Sequence, residues 1–96
     1  MVDTDLLADE ARGHNAFSLL QNELLQEALK AIEQDVMEQW IACPARDKEG
    51  KEALWQLIKT SRKFKDILTG YIETGKLATE NMKRFEKEGM LRRLIA

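Results

Sequence analysis

Apolar positions along the chain recur at helical spacing. From Leu25 the sequence places Leu29, Ile32, Val36 and Trp40 at steps of four, three, four and four, which sets all five on one face of a helix. Asn22 is a natural N-cap for it, and Glu23 puts a negative charge in its first turn, where the helix dipole favours one. Pro44 ends it near Ala42, because the residue before a proline is pushed out of the α region. A second, longer run starts after the tight connection Cys43–Arg46, with Asp47 as its cap. Its apolar or small positions are Gly50, Leu54, Leu57, Ser61, Phe64, Leu68, Tyr71 and Gly75, at alternating steps of four and three. That is a heptad stripe, which keeps one seam turned toward a partner helix. Ile58, Ile67 and Ile72 widen the stripe, Gly70 weakens its last turns, and Gly75 is the expected stop.

Two shorter segments flank these. Residues 4–20 carry Leu6, Leu7, Ala11, Phe17 and Leu20, with Gly13 as an interruption that costs about 1 kcal/mol against Ala. Residues 76–88 carry Leu77, Ala78, Met82 and Phe85, followed by Gly89 and a tail, Met90 to Ile95. The expected fold is all-α: an antiparallel helical hairpin core with shorter flanking helices, in one domain over residues 1–96 with mobile ends at 1–4 and 90–96. The second hairpin helix is predicted to outrun the first, leaving Leu68, Tyr71 and Ile72 to be covered by the C-terminal segment or by a second subunit. The stripe residues Leu54, Leu57, Phe64, Leu68, Tyr71 and Ile72 are therefore the expected protein interface, and a homo-oligomer is the expected state.

Composition agrees with this class. The 96 residues are 44% hydrophobic and 33% charged, rich in good helix formers, with a single proline. One cysteine excludes an internal disulfide, and no apolar run approaches the roughly 20 residues of a membrane span. With an acidic rather than basic N-terminus, these features point to a cytoplasmic protein with no membrane partner. The net charge of −2 conceals a gradient. Residues 1–43 hold nine acids against Arg12 and Lys30, whereas residues 76–96 hold six bases against three acids. Pairing of the two ends within the fold is the expected use of that gradient.

Catalytic and metal chemistry find little support. His14 is the only histidine, and Glu10 stands four residues before it, not at the three-residue spacing of a helical di-iron motif. It reads as a surface or cap residue. Cys43 has no base near it in sequence and reads as a half-buried structural thiol. The carboxylate pairs Asp5/Asp9 and Glu23/Glu27 share helix faces and read as solvated, and there is no glycine-rich phosphate loop. Trp40 and Trp55 read as hairpin core. No enzyme activity, cofactor or metal is expected.

The stretch from Leu77 to Leu91 resembles the recognition helix of winged helix-turn-helix proteins. The resemblance would make Thr79 the cap, Lys83, Arg84 and Lys87 the nucleic-acid contacts, and Gly89 the C-cap, with Arg92 and Arg93 as further contacts. The chain departs from that family in having a long heptad helix upstream, no turn residue for a wing, and Glu80, Glu86 and Glu88 among the bases. DNA binding is thus an alternative and not the favoured reading.

A second resemblance covers about residues 16–80. Ala16, Leu19, Leu20, Asn22, Glu27 and Ala28 lead to Trp40, then Ala45, Arg46, Asp47, Glu49, Gly50, Lys51, Glu52, Leu54 and Trp55, and later to the run Gly75-Lys76-Leu77-Ala78. This layout is similar to small helical proteins encoded by tailed phages and prophages near their head and DNA-packaging genes, with Lys51 where the pattern has Arg. The resemblance implies a setting, phage assembly, and another phage structural protein or the virion as partner. It carries no catalytic residues. The turn motif itself reads as hairpin architecture, with Asp47 capping and Arg46 reaching back to the carbonyls that end the first hairpin helix. The expected function is a self-associating assembly or adaptor component of a phage particle or its packaging apparatus. A DNA-binding protein and a small inhibitor of a host protein are the alternatives.

Overall fold

A computed structural model describes residues 4–95, all but the short connections being helical: α1 (Thr4–Gln21), α2 (Glu23–Ala42) and α3 (Lys48–Ile95). The chain divides into two compact units, Leu19–Ile67 and a second made of the chain up to Ser18 together with Leu68 onward, and α3 contributes to both. The expected mobile ends fall partly outside the described residues, at 1–3 and 96; the rest of the C-terminal stretch continues α3.

The first unit is the antiparallel α2–α3 hairpin that the spacing predicts. Asn22, in an extended conformation, accepts a hydrogen bond at Oδ1 from the Leu25 N–H at 3.0 Å and starts α2. Cys43 leaves the helix at φ −73° and ψ 126°, the extended geometry that Pro44 imposes on its predecessor. Asp47 then caps α3, its Oδ1 accepting from the Gly50 N–H at 2.9 Å. The carbonyl end of α2 is held by Lys51 and not by Arg46: Lys51 Nζ donates to the Trp40 carbonyl at 2.9 Å and lies 4.3 Å from the centroid of the Trp40 ring. Leu29, Val36 and Leu54 are buried between the helices, with Ser61, whose hydroxyl has no hydrogen-bond partner. Glu33 and Lys65 close at 3.5 Å across them.

The second unit overturns three expectations. Gly75 does not stop a helix; α3 runs through it, and through Gly70 and Gly89, for 48 residues, so the predicted separate segment at 76–88 is part of α3. Gly13 does not interrupt α1 either. The two glycines lie against each other where the helices cross. A Cβ built on Gly13 would sit 3.0 Å from both the Gly75 Cα and the Tyr71 carbonyl oxygen, and one built on Gly75 would sit 3.0 Å from the Gly13 Cα. Ala16 and Ala78 are buried at the same crossing. The stretch around Leu68, Tyr71 and Ile72 is accordingly met by α1, and neither the C-terminal segment nor a second subunit is needed to bury Leu68.

A candidate protein interface on the α2–α3 hairpin

The heptad stripe of α3 separates into two columns. Leu54, Ser61, Leu68 and Gly75, seven residues apart, are all buried, whereas Leu57, Phe64 and Tyr71, also seven apart, are 39–53% exposed. A helix with one neighbour at each level can bury one column completely, and the adjacent column is left on the flank. Of the expected interface residues, Leu54 and Leu68 are thus enclosed within the chain, in the first and second units respectively. Ile72 is half-buried in a groove of about 270 Å³ with Glu10, Gly13, His14, Phe17, Lys76 and Thr79. Thr79 is no cap: its hydroxyl donates to Glu10 Oε2, with the Gly75 carbonyl 3.0 Å away. Tyr71 is exposed beneath the Arg12 guanidinium, 5.4 Å from its ring centroid. Leu57 and Phe64 remain as exposed apolar side chains on the hairpin.

The hairpin has two unlike flanks. On one, Gln39, Ala42, Gly50, Ala53 and Leu57 share a shallow hollow beside the turn. Seven-residue steps from these positions carry the same flank along both helices, through Ile32, Leu25 and Ala28 on α2 and Phe64, Thr60 and Ile67 on α3. The α3 positions of this flank carry no charge. On α2 the one charged side chain is Asp35, whose Oδ2 accepts from Gln39 Nε2 at 2.8 Å. Leu57, Phe64, Ile67 and Ile32 are each 44–53% exposed. Ile67 marks the border, sharing a depression with Lys59, Arg62 and Lys63 on the outer, basic face of α3.

The opposite flank holds a hollow of about 160 Å³ lined by Val36, Met37, Trp40, Leu54, Trp55 and Ile58. Trp40 and Trp55 are exposed, correcting their assignment to the hairpin core. Lys51 covers the Trp40 ring, Lys59 lies 5.8 Å from the Trp55 ring centroid, and the Glu33–Lys65 pair is on this side. Trp55 follows the buried Leu54 by one residue and Trp40 follows the buried Val36 by four, so each stands beside the buried column and not in it. Ile32 and Ile67 were the further flank residues that the stripe reading left out of the interface.

His14 is an exposed residue within α1, and no group of three His, Cys, Asp or Glu side chains among the described residues could hold a metal. Cys43 is half-buried, with Sγ 3.7 Å from Asp47 Oδ2. No helix of the described residues is long and apolar enough to cross a membrane. Lys83, Arg84, Lys87, Arg92 and Arg93 are exposed along the C-terminal part of α3 and make no ion pair with a described residue, so the expected pairing with the acidic first half is absent at these bases. Because Thr79 and Gly89 lie inside α3, the recognition-helix pattern has neither its cap nor its stop.

No protein-family model matches the chain, and neither a curated protein nor a solved structure matches it. The chemistry of the chain's own surface therefore carries the functional reading.

Proposed function

We propose that this protein is non-enzymatic and works by binding copies of itself, as an assembly or adaptor component. One observation carries the reading. Between Leu19 and Ile67, ten large apolar side chains are exposed (Leu19, Leu24, Ile32, Met37, Trp40, Ile41, Trp55, Leu57, Phe64 and Ile67), while Leu29, Val36 and Leu54 are the buried apolar residues. Those ten side chains keep 41–77% of their surface in water, and exposed apolar surface that gathers into a patch marks a protein contact. Exposed tryptophan, methionine and phenylalanine are also the side chains enriched at such contacts. The resemblance at residues 16–80 supplies the setting: a phage particle or its DNA-packaging apparatus. Light scattering on the full chain tests the reading. A mass that is a multiple of 11.1 kDa at micromolar concentration is the expected result, and a monomer throughout that range would overturn it.

Duplex DNA binding has one observation in its favour, the five exposed C-terminal bases without ion-pair partners among the described residues. It ranks second because Glu80, Glu86 and Glu88 interleave them, and affinity for a duplex rests largely on phosphate neutralisation.

A further inference from the structure

We propose that a second copy of the chain docks on the flank of the α2–α3 hairpin that carries Ile32, Leu57 and Phe64, with these three as its central anchors. This rests on the self-association reading and names its surface. The flank suits no strongly charged ligand, because its α3 positions carry no charge and Asp35 is engaged by Gln39. A two-fold contact asks for a patch that is complementary to itself, and an apolar flank whose α3 side carries no charge meets that condition.

Charge at its borders favours a definite arrangement. On its α2 side this flank carries Asp35, whereas at its α3 border Ile67 shares a depression with Lys59, Arg62, Lys63 and Asp66, a net-basic group. A two-fold axis parallel to the helices sets α2 of each copy over α3 of the other, so acidic rims meet basic ones. Size is adequate as well. Two helices of about 30 Å lying roughly 10 Å apart present a footprint of about 600 Å², near the roughly 800 Å² of accessible surface per partner in a stable complex.

The test is light scattering with circular dichroism on the full-length protein and three variants. Leu57→Glu/Phe64→Glu introduces two carboxylates on the flank. Thr60→Glu does so with one carboxylate at an exposed position whose change removes no buried group. Met37→Glu is the control on the opposite flank. The expected result is a wild-type mass of twice 11.1 kDa, a monomer mass for the double variant, at least tenfold weaker dimerisation for Thr60→Glu, and a dimer for Met37→Glu, with helicity unchanged throughout. A dimer that survives both flank substitutions, or that Met37→Glu dissociates, would leave self-association standing and sink this surface. A wild-type mass above two copies would overturn the closed two-fold contact. A wild-type monomer would remove the self-association reading along with it.

Discussion

The glycines show how much one missing methyl group decides. Gly13 and Gly75 permit a backbone-to-backbone approach between α1 and α3 that any Cβ would crowd, with Cα atoms 3.0 Å from its ideal position. Gly70 and Gly89 occupy the same helix and have nothing within 4 Å of where a Cβ would stand. Opposite effects follow from one substitution. Gly13→Ala or Gly75→Ala is expected to destabilise the protein by about 1–3 kcal/mol, the usual cost of overpacking a close contact. Gly70→Ala and Gly89→Ala are expected to stabilise it by about 0.4–1 kcal/mol, since alanine restricts the unfolded chain and fits the helix without strain. Urea denaturation of the four variants reads both signs. Equal effects at all four positions would mean that α1 and α3 do not cross at the glycines.

At the scale of the element, the hairpin turn is built from caps that are local in sequence. Asp47 holds the Gly50 N–H and the Lys51 N–H, through side chain and backbone respectively, while Lys51 closes the far end of α2. Asp47→Ala is expected to cost about 1 kcal/mol in urea, the typical loss of an N-cap; stability equal to wild type would place the start of α3 elsewhere. Leu68 illustrates the other kind of position. It belongs to the buried column in the α1–α3 contact, so Leu68→Glu forces a carboxylate among apolar groups and lowers stability. Thermal melting should show a clear drop for Leu68→Glu, and little change for Phe64→Glu measured at a concentration where the protein is monomeric. The contrast separates positions that fold the chain from positions that join chains.

For the whole molecule, the charge gradient turns out to be carried by faces more than by pairs. Among the described residues, Lys65 meets Glu33, but Lys83, Arg84, Lys87, Arg92 and Arg93 have no acidic partner. Those five bases give a sharp expectation for nucleic acid. If three to five of them neutralised phosphates, affinity for a random duplex would fall with a log–log salt slope of about −3 to −4.5. The expected outcome, given the interleaved glutamates and the net charge of −2, is no micromolar binding by fluorescence anisotropy at moderate salt. Binding with that slope, lost in Lys83→Glu/Arg84→Glu, would raise the DNA reading above self-association. Stability should also rise with protein concentration if the dimer forms, because association removes folded monomer from the folding equilibrium.

Helix content, the α2 boundaries and the turn chemistry were legible in the sequence because each depends on neighbours within a few residues: Asn22 with Leu25, Cys43 with Pro44, Asp47 with Gly50. The heptad spacing of α3 also identified the apolar stripe that contains both the buried column and the exposed one. What the sequence alone could not assign was which column meets a neighbour, since Leu54 and Leu57 are equally apolar and differ only in where α2 lies. Gly75 was ambiguous for the same reason. A glycine after an apolar run is compatible with either a helix stop or a helix interior packed closely on another backbone. At Gly75 the structure shows the second, with Gly13 against it and the C-terminal segment continuous with α3, while the placement of α2 is what leaves Leu57, Phe64 and Ile32 facing outward.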